Sequence, residues 1–351
     1  MNLDVFKNYV GQQPILDQLL PELQAAAMEG RPVRHILLYS VPGLGKDFLA
    51  TQIARALGAE QDFVQVMGSE IARAGKRWTW DTVFNKYNPF YQDINEFGQL
   101  VGPWVPRLFF LNECESVPRS AMEEIHGVLQ PGPDGSRYYM RSINARYNHS
   151  EAVWAPPFTM IMATNFLDEL IANCPAVVDR CPLQFEFQFY SPDDLAKIVT
   201  AHSEARRIPI APEAAMGIAQ RSKGTPRQAL QAIWPACNNE RVIGQHKTLT
   251  LMHVAAAMKR ARIGEDGLDS QDIKYLLLLH EHGNHSGVGL TRLASLMGLP
   301  SKIITQNLEP WLNTSGYTSV DSTGRILTRK GLVRLNATGQ VNLRLAEREQ
   351  A

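Results

Sequence analysis

The stretch that most limits what this chain can fold into runs from His35 to Ala50, HILLYSVPGLGKDFLA. Ile36, Leu37, Leu38 and Tyr39 form a short apolar run suited to a buried strand. Pro42, Gly43 and Gly45 mark a turn, Lys46 follows, and Phe48, Leu49, Ile53, Ala54 and Leu57 recur at helical spacing. Strand, glycine-containing loop, lysine and helix in that order is the layout of a phosphate-binding loop. Its chemistry needs backbone N–H groups turned inward around an anion, which glycines permit sterically. It also needs a helix N-terminus facing the phosphates and a lysine ammonium on the β/γ oxygens. The match to G-x-x-x-x-G-K-[ST] is partial. Ser40 stands at the first glycine, and Asp47 stands where a hydroxyl residue normally holds Mg²⁺. Taken alone, the segment fits a nucleotide site and an ordinary strand–turn–helix equally well.

The 351 residues suggest two or three domains with ample core. A hydrophobic content of 44% with 20% charged residues describes a globular chain, not a disordered one. Formal net charge is zero, so any nucleic-acid contact must come from a local patch. The start, MNLDVFKNYVGQQ, lacks the layout of a signal peptide, and no apolar run approaches membrane-spanning length. Cys114, Cys174, Cys181 and Cys237 show no C-x-x-C pairing and read as free thiols of a reducing cytoplasm.

Two further strands bear on the loop. Arg107–Glu115, RLFFLNECE, is an apolar run whose carboxyl end presents Asn112 and Glu113. Ligands of open α/β sheets bind at that end of the strands. In P-loop ATPases the position carries an Asp for Mg²⁺ and a Glu that polarises the attacking water. Phe158–Asn165, FTMIMATN, ends likewise in Thr164 and Asn165, within reach of a γ-phosphate or the attacking water. Asp179-Arg180 follows, and an arginine there suits the site of a neighbouring subunit, although most such pairs are surface ion pairs. Between these strands, residues 76–106 hold Trp78, Trp80, Phe84, Tyr87, Phe90, Tyr91, Phe97 and Trp104. That density fits an inserted subdomain with its own core or an exposed partner-binding surface.

From Ser191 the periodicity turns helical. Ser191-Pro192-Asp193-Asp194 and Gly224-Thr225-Pro226-Arg227 start helices, a further helix spans about Leu251 to Ile263, and Gly264–Gly267 reads as a linker. Helices at Ser270–His282, at Leu290–Met297 and from near Pro300 precede two extended runs joined by Asp321-Ser322-Thr323-Gly324. Three helices and a hairpin read as a winged helix, a fold that commonly binds DNA and also serves as a protein-interaction module. His280, His282 and His285 lack a Cys or carboxylate partner at ligand spacing and do not read as a metal site.

With these blocks in order, the chain resembles the RuvB family of AAA+ Holliday-junction branch-migration motors over nearly its whole length. Tyr9-Val10-Gly11-Gln12 resembles the family's adenine-contacting segment, and Pro42-Gly43-Leu44-Gly45-Lys46 its phosphate loop, with Asp47 and Phe48 continuing into the helix. Ala163-Thr164 resembles the sensor-1 strand, Asp179-Arg180 falls at the arginine finger, Phe189-Tyr190 precedes the lid, and Gly224–Arg227 resembles sensor 2. The resemblance implies an α/β P-loop AAA+ domain over 1–190, a helical lid over 191–264, a winged helix over 265–340 and a tail over 341–351. It further implies ATP and Mg²⁺ as cofactors, branched DNA as partner, a ring of like subunits such as a hexamer, and a cytoplasmic helicase of DNA recombination. Glu113 would activate water, Asn165 would sense the γ-phosphate, Arg180 would act in trans and Arg227 in cis. Lys302 and Arg325 would touch DNA.

The departures are specific. Asp47 stands where the family has Thr, and Asn112 where it has Asp. Ser301 and Val320 replace typical wing arginines. The aromatic insertion is foreign to ordinary members, and the hairpin that meets the RuvA partner falls near Arg137–Ala155, with an unlike sequence. A partner protein would therefore dock on 76–106 or 137–155. A carboxylate about 4 Å from a phosphate charge costs roughly 4 kcal/mol at an effective dielectric near 20, about a thousandfold in affinity. With Mg²⁺ between them the sign reverses, because a carboxylate is a good hard-oxygen ligand. Losing the Asn112 carboxylate while gaining Asp47 thus reads as a compensated metal site. The alternative is a nucleotide-binding scaffold or adaptor that barely hydrolyses.

Overall fold

A computed structural model of the chain describes residues 1–61, 63–75, 108–129, 137–144, 149–155, 158–283 and 287–338. The aromatic stretch 76–106, His285 and the tail from 341 lie outside the described residues. Strands β1 (Ile36–Tyr39), β2 (Phe63–Met67) and β3 (Leu108–Asn112) precede a hairpin of β4 (Arg137–Asn144) and β5 (His149–Ala155). Strands β6 (Thr159–Thr164) and β7 (Leu183–Glu186) follow. All but the hairpin join one parallel sheet in the order β2-β3-β6-β1-β7. The central strands β1, β3 and β6 are apolar along their length because both faces are covered.

The order places the site. The chain leaves β1 through the helix Lys46–Leu57 and crosses to the far edge at β2, while β7 lies on the other side of β1. Beside such a switch point a crevice opens at the carboxyl ends of the strands. Register levels those ends: Tyr39 pairs with Thr164, Leu111 with Met162, and the Ser40 N–H donates to the Thr164 carbonyl at 3.3 Å. Behind the sheet, Phe109, Leu111, Met160 and Met162 pack with Met122, Ile125 and Leu129 of the helix Arg119–Leu129.

Entry into β1 is anchored by charge. Glu22 on the helix Gln13–Glu29 accepts hydrogen bonds from Arg31 (2.9 Å) and Arg34 (3.0 Å), two to five residues ahead of the strand. Burial would raise the Glu22 carboxyl, but these bonds outweigh it and hold it from 4.5 down to about 2. A folded pKa below the unfolded one contributes stability above pH 4.5 that is lost as pH falls towards 2. The unfolding free energy of the wild type should exceed that of Glu22→Gln by about 3 kcal/mol at neutral pH. Urea titrations should show the gap closing over that acid range, and a gap independent of pH would refute the assignment.

The second compact unit comprises Val41–Leu44 and the chain from Phe189 onward. Helices Pro192–Ala205, Pro212–Gln220, Trp234–Ile243 and Leu251–Ala261 enclose a core of Val199, Ile218, Ile233 and Val254. The winged helix follows: Ser270–His282, Leu290–Met297, a helical run over 301–314, and strands β8 (Thr318–Asp321) and β9 (Gly324–Leu327). A helix not anticipated from sequence, Arg329–Ala337, buries Leu335 against this core.

Two turns, Gln228–Ile233 and Ile304–Leu308, are π-helical and not the plain α-helix that periodicity suggests. Each lies just before a helical proline, Pro235 or Pro310. A proline lacks the N–H and would collide with the carbonyl four residues back; widening the turn accommodates it without breaking the helix.

Gly264–Gly267, expected as a linker, is a packed seam. The Gly264 N–H donates to the Leu268 carbonyl at 2.9 Å, and Asp266 accepts from the Tyr317 hydroxyl at 3.2 Å and pairs with Arg334. Burial opposes ionisation of Asp266, yet Arg334 holds its carboxyl below the usual range. Close by, buried Lys223 bridges Asp269 and Asp272 of the winged helix, tying it to the lid.

Candidate functional site

The phosphate loop has the backbone that its chemistry requires. Gly43 and Gly45 take φ of 92° and 99°, which glycine alone adopts without strain, and Gly45 caps the helix Lys46–Leu57. Lys46 is only 7% exposed, and its Nζ donates to the Ser40 carbonyl (3.1 Å), the Ser40 hydroxyl (2.9 Å) and Asn165 Oδ1 (2.9 Å). Among the described residues three acceptors thus surround its three N–H donors, and phosphate oxygens would compete with them. Ser40, noted in the sequence only as a missing glycine, supplies two of the three. Its place at the end of β1 was the available signal.

Across the crevice, Asn112 Nδ2 donates to Asp47 Oδ1 at 2.8 Å, and Asn112 Oδ1 accepts the Glu113 N–H at 2.9 Å. Both ends of the amide are therefore committed, and the reverse orientation would set oxygen against carboxylate. Asn112, expected beside the metal, donates to Asp47 with one end of its amide and accepts the Glu113 N–H with the other. The second oxygen of Asp47 takes no hydrogen bond among the described residues.

Glu113 adopts φ 52°, ψ 45°, an uncommon backbone for a side-chain-bearing residue, at the turn from β3 into Cys114–Ser116. Gly68 makes room for it: a Cβ there would lie 2.1 Å from the Glu113 carbonyl oxygen. Gly68→Ala should therefore displace Glu113 and lower any turnover by about a hundredfold, with nucleotide affinity near that of the wild type. Turnover that survives the substitution would count against Glu113 as the positioned group. Cys114 is fully buried, and burial pushes its thiol well above the ordinary range, so it is inert here. Glu115, quoted in the sequence without a role, accepts the Asn165 N–H through Oε1 at 3.4 Å and so links the ends of β3 and β6.

The remaining residues divide by environment. Thr164 is buried, and its hydroxyl accepts the Phe166 N–H at 2.9 Å, so it caps the turn and Asn165 alone faces Lys46. Arg180 caps the helix Pro175–Asp179 and is half-buried. The Tyr9 ring stacks on Phe48 at 5.6 Å, with Phe48 55% exposed in the first turn of its helix. Half-buried Val10 follows, and then Gln12, whose amide donates to the Gln188 carbonyl (2.7 Å) and accepts its N–H (3.1 Å). That clamp fixes the N-terminal segment beside β7. In the second unit, the Arg227 N–H donates to the Gly43 carbonyl at 3.2 Å beside Pro42 and buried Leu44, and the Tyr190 N–H donates to Gly224 at 2.9 Å.

In the winged helix Lys302 is exposed. Arg325, expected on DNA, points inward: its Nε and Nη2 reach the two oxygens of buried Glu309 at 2.8 and 3.3 Å. Tyr275 donates to the same carboxylate at 3.0 Å. A buried Glu309 without that guanidinium would be an uncompensated charge, which is why the arginine turns in.

Three family profiles match in series. They are the Holliday junction DNA helicase RuvB P-loop domain over residues 2–86, the RuvB AAA lid domain over 190–263 and the RuvB C-terminal winged helix domain over 265–336. The Holliday junction branch migration complex subunit RuvB of Lactobacillus helveticus is 30% identical over 327 residues, covering 93% of this chain and 86% of that protein. The chain belongs to the RuvB family. The Fervidobacterium nodosum RuvB subunit is 31% identical over 323 residues, covering 92% of this chain and 84% of its own. The fold agrees with that of the Thermotoga maritima RuvB Holliday junction branch migration motor, at TM-score 0.74 and 24% identity over 95% of this chain and 97% of that one. Asp47 and Asn112, the two departures noted in the sequence, are in direct contact.

Proposed function

We propose that this RuvB-family chain is an ATP-hydrolysing motor that moves branched DNA. One observation carries the reading: Lys46, Asp47, Asn112 and Asn165, from the phosphate loop and the ends of β3 and β6, are hydrogen-bonded in one crevice. Lys46 exchanges Asn165 and Ser40 for phosphate oxygens, which frees the Asn165 amide to meet the γ-phosphate. Glu113, with its N–H held by Asn112, accepts the proton of the attacking water. Tyr9 and Phe48 offer an aromatic face to the base, and Val10 adjoins it; Tyr190 is assigned to the nucleotide by the family resemblance. Arg227 acts in cis from the tip of the loop and Arg180 in trans in a ring of like subunits.

Mg²⁺ fits the donor set, since the unengaged oxygen of Asp47 is a hard anionic ligand; when bound, the ion neutralises phosphate charge. Asp47 would hold it with Asn112 at its side. Lys302 contacts DNA. No observation favours the adaptor alternative. Among the described residues no helix is long and apolar enough to cross a membrane. The test is conversion of a synthetic four-way junction into duplex products by the purified full chain. ATP- and Mg²⁺-dependent conversion supports the motor. ATP turnover without strand movement on any branched substrate would refute it.

A further inference from the structure

The inward turn of Arg325 leaves the question of which cations meet the DNA. A cleft of about 530 Å³ opens at the seam of lid and winged helix. Its lining carries Lys259, Arg262, Lys274 and Arg334, and no acidic residue among the described residues. In a chain of zero net charge, Lys259, Arg262 and Lys274 form a local excess around one concavity, the charge of Arg334 being matched by Asp266. Lys259 and Arg262 are exposed, and among the described residues the side chain of neither has an ion pair or hydrogen bond. Arg262 ends the helix Leu251–Ala261 with φ 56°, a left-handed cap.

The other two cations are held in place. Lys274 Nζ donates to the Met297 carbonyl at 3.1 Å, and Arg334 is bound in two-point fashion to Asp266. Ser270, at the start of the helix Ser270–His282, adds a hydroxyl to the wall. The floor is apolar, with Ile263, Leu268 and Leu277 among its residues. Phosphate oxygens suit a lining of cations beside apolar side chains, and the volume lies within the roughly 300–1,000 Å³ of ligand sites.

We infer that this cleft binds backbone phosphates of the DNA strand, with Lys259 and Arg262 as the contacting groups. The inference rests on the DNA-motor reading above and adds a contact at the seam to that of Lys302. Lys223, which ties Asp269 and Asp272 to the segment leading into Arg227, joins the cleft mechanically to the lid.

The test is fluorescence anisotropy of a labelled four-way junction with the full chain, over a salt series. Wild type is compared with Lys259→Ala/Arg262→Ala and with the charge-keeping Lys259→Arg/Arg262→Lys. Each phosphate contact contributes about 0.9 to the slope of log affinity against log salt, so the alanine pair should flatten it by about 1.8. The charge-keeping pair should retain the slope, and equal melting temperatures verify the fold. Inorganic tripolyphosphate, added as a free-phosphate probe, should protect wild type and alanine pair equally against heat.

An unchanged DNA slope in the alanine pair overturns the cleft assignment while leaving the motor reading standing. An unchanged slope with lost protection by tripolyphosphate overturns it in favour of a free polyphosphate. A wild type that binds no junction at any salt overturns the DNA reading itself and the cleft with it.

Discussion

Glu113→Gln is expected to cut steady-state ATP turnover by about 10²- to 10⁴-fold, the usual contribution of a positioned general base. Glutamine keeps the size of the side chain and the hydrogen bond from the Glu113 N–H to Asn112, so only proton acceptance is lost. The backbone argues for this role. A non-glycine residue at φ 52° costs energy, and the fold maintains it with Asn112 on one side and the absent Cβ of Gly68 on the other. Turnover is read by phosphate release, and nucleotide binding by a fluorescent ATP analogue in the same preparation. Retained binding with lost turnover supports the assignment. Equal rates in both proteins would mean that the carboxylate takes no part, and the adaptor reading would then replace the motor.

The second large effect concerns the exchanged pair. Asp47→Ala should abolish the Mg²⁺ dependence of nucleotide binding and weaken the Mg²⁺ complex by about a thousandfold, the equivalent of about 4 kcal/mol between charges roughly 4 Å apart. Asn112→Asp alone should also fail. It would set a second carboxylate where a 2.8 Å hydrogen bond now holds Asp47, and two close carboxylates cannot both ionise readily. The double change Asp47→Thr/Asn112→Asp rebuilds the arrangement typical of the family and should recover Mg²⁺-dependent turnover beyond what the two single changes predict. A double variant as inactive as the worse single one would show that the two positions do not form one site. Asp47→Ala protein that still requires Mg²⁺ would place the metal elsewhere.

Both experiments probe contacts that sequence spacing did not disclose. Asn112 follows Asp47 by 65 residues, and nothing local to either residue says that they touch. The expectation that Asn112 ligates metal came from its place in a motif. The orientation of its amide, with oxygen on the Glu113 N–H and nitrogen on Asp47, is a property of the assembled crevice. Arg325 is a parallel case. Its position in the hairpin suggested an outward cation, but the carboxylate that captures it lies on another helix.

What the sequence determined by itself was local. The apolar runs at 36–39, 108–111 and 159–163, the glycines and lysine of the loop, the proline-started helices and the wing hairpin follow from periodicity and turn chemistry. These depend on residues within one or two turns of each other, so a linear reading reaches them. The tertiary structure alone decided the partners: Ser40 and Asn165 on Lys46, Asp47 on Asn112, Glu309 on Arg325, Asp266 on Arg334, and the packed seam where a linker was expected. Those choices belong to long-range electrostatics in a partly buried setting. A charge removed from water must find its counter-charge wherever the fold brings one, however distant in the chain.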